Sequence, residues 1–238
     1  MKDNLKILDN IMDSYKLNNT EKEELLSMII NIFEHEEFQK RMTDKFLHHS
    51  NITLGYHILQ TTTITYILCK KALKNKKDID INLALNIAMM HDLYTVQWRK
   101  NKIGKAKRFS NLHGFRHPIE SVVNSFNWYP DLFRNNEKSY ELIDGIIHHM
   151  YPLPVRRIDN SIYNELELKN FSLLKNIDRK YIDEMIKSCY RGKIGLYSFA
   201  MPYSIEGKIV SSADKRATFN NYNGIANKIK KIEREKYE

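Results

Sequence analysis

The strongest chemical signal in the chain is the pair His91-Asp92, which directly follows the apolar stretch Ile87–Met90. An imidazole and a carboxylate at neighbouring helical positions project about 100° apart, so both reach one site only if that site lies at the helix end. A carboxylate placed there could span two metal ions. Burying an unpaired ionised carboxylate would cost several kcal/mol, and a bound cation would relieve that cost. The alternative is an ordinary core in which Asp92 accepts hydrogen bonds from His91 and nearby amides.

Three other stretches carry side chains of the same kinds. His148 and His149 end a second apolar run, and two adjacent histidines are uncommon in a plain core. His57 lies beside the apolar face of an earlier helical pattern, where a lone histidine is more often a hydrogen-bonded core residue. Asp214 lies in a late helical pattern and, taken alone, would be a surface carboxylate paired with Lys or Arg.

A histidine-rich stretch follows a basic loop, residues 99–108. Pro118 suits the first turn of a helix, which would place His117 at the helix cap. The loop is either solvated or in contact with substrate phosphate. Only Trp98 and Phe109 flank its charges as aromatic residues, which weakens an interpretation as a single-strand nucleic-acid site.

In order and rough spacing, these residues resemble the signature of the HD superfamily of metal-dependent phosphohydrolases. That signature has an early histidine, a His-Asp pair, further histidines and a late aspartate, and here it covers about residues 50–220. The adjacent histidines resemble those of the cyclic-dinucleotide phosphodiesterase branch, HD-GYP. The Glu beside that pair and the Gly-Tyr-Pro triplet are missing, so the substrate of that branch is not carried over.

The resemblance implies a metal centre with two ions that share one carboxylate. The implied ligands are His57, His91, Asp92 and Asp214 for the first ion, and Asp92, His117, His148 and His149 for the second. Nitrogen and oxygen donors permit Fe, Mn, Co, Ni or Zn, with Fe or Mn expected first, and make a pure Mg site less natural. Members of the family with a single metal keep only the first set, in which case the extra histidines would serve the substrate.

The implied reaction is hydrolysis of a phosphate ester of a nucleotide, or of a related small anion, by a metal-activated water. His91 and Asp92 would be catalytic through the metal, and a protonated His113 would assist the leaving group. His113 and His117 could exchange roles. The cations expected to contact phosphate are Arg116, Arg156, Arg157 and Lys215.

Two rival functions share these residues. Relatives with the same ligands bind two irons and cleave C–C or C–P bonds with dioxygen, so a di-iron oxygenase is the first rival. The second is a regulatory protein that binds a nucleotide or nucleic acid without turnover. A complete ligand set argues against the second rival, because a non-catalytic copy has no chemical need for it.

Long helices with few tight turns must position these side chains. Only 8 Gly and 5 Pro occur in 238 residues, and the apolar spacing is helical, so the sequence predicts an all-α fold. The resemblance implies an HD-like helical bundle. The predicted helices cover 4–17, 20–35, 52–73, 81–93, 119–126, 140–150, 180–189 and 205–218. The predicted helix starts are a capping box from Thr20 to Glu23, and caps at Asp80 and Ser204.

We expect a single domain over residues 1–238. It would comprise an N-terminal helical extension (1–48), a core (50–220) with a helical insertion (155–200), and a charged tail (221–238). The insertion is either a lid or a plain packing helix. His35, His48 and His49 are interpreted as surface or capping histidines of the extension, although the adjacent pair could also be ligands.

Composition restricts the partners. Lys and Arg total 38 against 29 Asp and Glu, and the net charge of +9 favours anionic partners, a nucleotide or nucleic acid. Two unpatterned cysteines predict a reducing compartment and no thiolate metal site. The absence of a long apolar run or a signal-peptide pattern predicts a cytoplasmic protein with no membrane partner. A homodimer is compatible with the sequence.

Overall fold

The computed structural model describes residues 2–48, 52–95, 113–134, 136–158 and 179–235, with side chains for all of these except 136–137, 179 and 222–235. Within these ranges the protein is mostly helical, which confirms the all-α prediction. The helices are α1 (Lys2–Ser14), α2 (Asn19–Phe33), α3 (Glu36–Arg41), α4 (Leu54–Lys74), α5 (Ile81–Met90), α6 (His113–Trp128), a 3-10 turn (Pro130–Phe133), α7 (Asn136–His148), α8 (Arg179–Ser188) and α9 (Ile205–Glu235).

A small antiparallel sheet lies between α7 and α9 in the sequence. Its strands are β1 (Val155–Arg156), β2 (Lys193–Ile194) and β3 (Tyr197–Ser198), in the spatial order β1-β3-β2. Gly195 begins the turn between β2 and β3 with a φ of +55°, a conformation that glycine adopts without steric cost. The predicted insertion 155–200 therefore contains strands as well as a helix.

The helices that carry the candidate ligands pack on one another. α9 lies against α4, α5 and α7, α5 also contacts α4 and α7, and α6 packs on α7 and β1. A single buried apolar cluster runs from Leu8 in α1 to Val210 in α9, so the N-terminal helices contribute to the same core. The helices that carry the candidate ligands therefore pack around one interior region.

The second helix begins earlier than the predicted capping box. Asn18, rather than Thr20, is the cap: its Oδ1 accepts a hydrogen bond of 3.0 Å from the Glu21 amide, and Glu21 Oε2 accepts one of 3.0 Å from the Asn18 amide. The sequence contains two overlapping patterns of a capping residue followed by Glu three positions later. The earlier one is used, and this moves the cap of α2 two residues toward the N-terminus.

The helix around Pro118 also differs from the prediction. α6 begins at His113, so Pro118 is its sixth residue and His117 lies within the helix instead of at its cap. Proline has no amide hydrogen, so the helix loses the backbone bond that would reach the carbonyl of Gly114. The helix nevertheless continues through the proline to Trp128.

Asp80 caps α5 as predicted, and Ser204 caps α9. Asp80 Oδ1 accepts a hydrogen bond of 3.0 Å from the Leu83 amide, and Ser204 Oγ accepts one of 3.0 Å from the Gly207 amide. Asp80 Oδ2 also lies 2.6 Å from Lys138 Nζ. Asp80 therefore links α7 to the start of α5, the helix that leads to His91.

We expect Asp80→Ala to lower the free energy of unfolding by about 1 kcal/mol, because a capping side chain is lost. Lys138→Ala is the matched control: its side chain is 60% exposed, so loss of the ion pair alone should change stability by less than about 0.5 kcal/mol. Urea denaturation measures both. Equal effects of the two substitutions would show that the ion pair, and not the cap, stabilises this junction.

The cap should also depend on pH. Burial alone would raise the pKa of Asp80, but hydrogen bonds from Lys138 and the Leu83 amide outweigh it and lower that pKa below its usual value. The stability that the carboxylate contributes is therefore present above its unfolded-state pKa, and it is lost as the pH falls through the lower folded-state pKa. The difference between wild type and Asp80→Ala should shrink below about pH 4.

In the described part of the chain, no helix combines the length and apolarity needed to cross a membrane. The cytoplasmic location stays a prediction. The basic loop 99–108, His49 and residues 159–178 of the insertion lie outside the described residues.

Candidate metal centre

Six ionisable side chains from distant parts of the chain meet in the interior. They are His57 in α4, His91 and Asp92 just after α5, His117 in α6, His149 just after α7, and Asp214 in α9. None is more than 7% exposed. Six of the seven side chains that the HD resemblance implied as ligands thus lie together, and His148 does not.

The Asp92 carboxylate lies at the middle of this cluster. Its Oδ2 is 3.6 Å from Nε2 of His57 and 3.6 Å from Nε2 of His91. Its Oδ1 is 3.1 Å from Nε2 of His117 and 3.6 Å from Nε2 of His149. The two oxygens of one carboxylate therefore face two different pairs of imidazoles.

Asp214 is a second carboxylate beside His57 and His91, the two imidazoles that face Asp92 Oδ2. Its Oδ1 lies 3.0 Å from His57 Nε2 and 3.7 Å from His91 Nε2, and the two ring nitrogens are 3.4 Å apart. We call these residues with Asp92 Oδ2 the first position, and His117 and His149 with Asp92 Oδ1 the second position. His57, His91 and Asp214 each offer an atom within 4.8 Å of the others, as do His91, Asp92 and His149.

Backbone carbonyls fix the orientation of three of the rings. Nδ1 of His91 lies 2.7 Å from the Ala88 oxygen, and Nδ1 of His149 lies 2.7 Å from the Ile146 oxygen. Nδ1 of His117 lies 3.2 Å from the oxygen of His113 in the preceding turn. A carbonyl oxygen only accepts, so each Nδ1 carries the hydrogen, and in the neutral ring Nε2 presents its lone pair to the cluster. This is the usual arrangement of histidines that bind a metal.

Electrostatics keep the carboxylates ionised. Burial alone would raise the pKa of Asp92, but the rings of His91 and His117 outweigh it and hold that pKa well below its usual range. The pKa of Asp214 is lowered in the same way, against burial, by the hydrogen bond from His57 and the charges of the neighbouring rings. Two anionic groups are thus available among the imidazoles.

The pKa values of the two histidines in the second position shift in opposite directions. Burial, with the neighbouring His91 ring, lowers the pKa of His149 to about 3, so this ring is neutral. Burial alone would lower the pKa of His117 too, but the Asp92 carboxylate 3.1 Å away reverses this and raises that pKa. A metal ion entering the second position would have to displace the proton that His117 holds.

The residues fit a bound cation. His117 Nε2 and His149 Nε2 lie 3.2 Å apart, and with each Nδ1 bonded to a carbonyl the neutral rings would face each other lone pair to lone pair. Asp92 Oδ1, buried between them, has no hydrogen-bond partner of good geometry. A proton or a metal ion would supply the positive charge that these facing lone pairs and the buried carboxylate require. Two buried groups of this cluster, His57 with His91 and Asp214, and His91 with Asp92 and His149, are close enough together to hold a metal ion.

His148 does not join the cluster, although it was predicted as a ligand beside His149. Its Nδ1 lies 3.0 Å from Asp144 Oδ1 and its Nε2 3.2 Å from Ser198 Oγ, so both nitrogens are used elsewhere. Asp144 also accepts hydrogen bonds from Arg191 and from a backbone amide. Adjacent side chains at a helix end diverge by about 100°, so only one of the pair reaches the centre. The spacing of Asp144 four residues before His148 was the available signal.

His48 lies beside the first position, although the sequence interpretation favoured a surface or capping role and kept a ligand role for the His48-His49 pair as the alternative. Its ring stacks on that of His57 with centroids 4.0 Å apart, and its Nδ1 is 3.8 Å from Asp92 Oδ2. His48, His57 and Asp92 form a further group whose ligand atoms all lie within 4.8 Å of one another. The residue precedes α4 in irregular chain, where no periodicity indicates which way a side chain points.

The residues predicted to act on the substrate lie at various distances from the cluster. His113 stacks on the His117 ring at 5.1 Å, and Arg116 is half-buried in the same helix. Arg156 is buried in β1, the Arg157 guanidinium bonds to the Gly195 carbonyl, and Lys215 is exposed with Nζ 3.0 Å from a serine hydroxyl. Their contacts with phosphate stay predictions.

The two adjacent histidines should behave differently when each is removed. We expect His149→Ala to lose the metal equivalent of the second position, because it removes one of three donors there. His148→Ala should keep the metal content of the wild type and lower stability, because Asp144 and Ser198 lose their partner. Metal analysis of protein purified without chelator tests this. Loss of metal in His148→Ala but not in His149→Ala would reverse the assignment.

The described residues form a helical protein with a buried cluster of His and Asp that could bind metal, which is compatible with an HD-like site. No family model, curated protein or solved structure matches the chain significantly. The geometry of the cluster is therefore the basis for any functional conclusion.

Proposed function

We propose that this protein is an HD-type metal-dependent phosphohydrolase that cleaves a phosphate ester of a nucleotide or a related small anion. The observation that carries the proposal is the Asp92 carboxylate, whose oxygens face separate pairs of imidazoles at 3.1–3.6 Å. A shared carboxylate of this kind suits two divalent cations a few ångströms apart. The net charge of +9 favours an anionic substrate.

The first position would hold one cation with two histidines and two carboxylates, and the second would hold another with two histidines and the shared carboxylate. These donors suit Fe or Mn first, and also Co, Ni or Zn, better than Mg. Divalent cations bound there would supply Lewis-acid chemistry, namely activation of water and neutralisation of charge on the phosphoryl group.

The chain itself orients and insulates these groups. The carbonyls of Ala88 and Ile146 hold the rings of His91 and His149 in one tautomer, so no reorganisation is needed when a cation binds. The six side chains of the cluster are each at most 7% exposed, so they are largely shielded from bulk water, which strengthens their electrostatic interactions. His113, stacked at the edge of the cluster, would donate a proton to the leaving group.

The decisive experiment loads the purified protein with Mn²⁺, Fe²⁺, Co²⁺, Ni²⁺ or Mg²⁺ in turn. Each form is then assayed with mononucleotides, cyclic nucleotides, dinucleoside polyphosphates and oligonucleotides, with and without oxygen. We expect release of a phosphate monoester or inorganic phosphate that depends on the metal but not on oxygen, and that is lost in Asp214→Asn. Oxygen uptake with an iron-loaded protein would indicate the oxygenase instead. Nucleotide binding without turnover under any metal would indicate a binding protein.

A further inference from the structure

His48 is held rigidly next to the start of α4. Its amide donates a hydrogen bond of 2.8 Å to the Ile52 carbonyl, and Leu47 pairs with Thr53 in an antiparallel bridge. Thr53 is in turn the cap of α4, with its side chain accepting from the Tyr56 amide. The position of His48 is therefore tied to the helix that carries His57.

The ring of His48 points at the carboxylate that the two positions share. Its Nδ1 lies 3.8 Å from Asp92 Oδ2 and 3.2 Å from the Tyr94 hydroxyl. Opposite ligands of one ion lie about 4.2 Å apart, twice a metal–nitrogen distance of about 2.1 Å. His48, His57 and Asp92 present ligand atoms within 4.8 Å of one another, and a rotation of the His48 ring out of its stack on His57 would let all three bind one ion.

We propose that His48 is an additional protein ligand of the first position, outside the pattern of the HD superfamily. The inference rests on the metal-binding part of the proposed function and not on the reaction. With His48, the first position has three imidazoles and two carboxylates, against two imidazoles and one carboxylate oxygen at the second position. The two positions are then chemically unequal.

Because the two positions have different numbers of protein ligands, they have different roles. A position closed by five protein donors leaves little room for exogenous ligands and binds its ion tightly, as closed structural sites do. A position with three donors keeps open sites for water and a phosphoryl oxygen. The geometry points to the second position, whose His117 ring stacks on His113, as the one that contacts the substrate.

A purely structural role for His48 is the competing explanation. His57 Nδ1 is buried and has no hydrogen-bond partner, unlike Nδ1 of His91, His117 and His149. Stacking at 4.0 Å could therefore be all that His48 contributes, by holding the His57 ring in place. His48→Phe separates the two roles, because phenylalanine keeps an aromatic ring for stacking and has no donor nitrogen.

The experiment is a titration of the metal-free protein with Co²⁺, followed by visible absorption and calorimetry. We expect two binding steps in the wild type, a dissociation constant for the tighter step raised about 10- to 100-fold or more in His48→Phe, and a changed absorption spectrum of that step. The weaker step should stay within about threefold. His113→Phe, which alters another stacked ring outside the ligand groups, should keep both steps.

Each outcome bears on a definite claim. Equal Co²⁺ affinities and spectra in wild type and His48→Phe would overturn the assignment of His48 and leave the proposed function standing. A wild type that binds no Co²⁺ would overturn both. Thermal unfolding of the metal-free proteins accompanies the titration: equal melting temperatures would assign a loss of Co²⁺ affinity to the missing nitrogen, and a large drop would instead favour the structural role.

Discussion

Asp92→Asn should abolish metal-dependent activity and remove bound metal from both positions. The change keeps the size of the side chain and removes the charge that Oδ1 and Oδ2 share between two pairs of imidazoles. Partners that only orient a ligand are typically worth about 10- to 100-fold in affinity or activity, so loss of a ligand common to both positions should exceed roughly 100-fold. Metal analysis and the phosphate-release assay measure the two effects.

Asp214→Asn is the comparison variant, because it should affect the metal of one position and not of both. Among the described histidines, Asp214 Oδ1 forms its ion pairs with His57 and His91, so its loss should weaken the first position and spare the metal of the second. Two equivalents of metal retained by Asp92→Asn would contradict the shared-carboxylate geometry. Equal metal loss in both variants would show that the two positions bind only together.

Arg41→Ala should lower the free energy of unfolding by about 3 kcal/mol. Arg41 has no exposed surface, and its Nη1 donates to the Glu37 carbonyl at 2.6 Å and to Glu37 Oε2 at 3.0 Å. Its Nη2 lies 3.2 Å from Thr95 Oγ1, and its guanidinium lies 4.4 Å from the Trp128 ring. Removal leaves a cavity and strands these partners. Urea denaturation at neutral pH measures the loss.

Lys40→Ala provides the matched control for Arg41. Lys40 is the preceding residue and pairs with Glu37 as well, but 47% of its side chain is exposed. An exposed ion pair contributes little, so this substitution should stay within about 0.5 kcal/mol of the wild type. An Arg41→Ala effect below about 1 kcal/mol would mean that α3 and the chain after Asp92 relax to fill the space.

The helices were predictable because their apolar residues recur at clear helical spacing. Helical periodicity placed each described long helix, and the Asp80 cap was identified from one polar residue before an apolar run. The bounds shifted where sequence signals compete. α2 uses Asn18 in preference to Thr20, and α6 continues through Pro118, because tertiary packing decides between local options of similar energy.

The cluster was partly predictable for a related reason. His91 and His149 end apolar helices, and a polar side chain there must find partners inside the protein. His148 and His48 could not be placed in this way. Whether a residue next to a helix end turns toward the centre or toward Asp144 depends on the neighbouring segments, which spacing along one helix does not encode.

The separation of His57 and Asp214 by 157 positions constrains how the protein is made. During synthesis the earlier histidines emerge long before α9 does, and domains generally fold from the N-terminus as the chain grows. The first position has Asp92 but lacks its second carboxylate, Asp214, until α9 has packed along α4. Assembly of the full ligand set at that position must then follow synthesis and packing of α9, so metal bound by the whole set would report that α9 is in place.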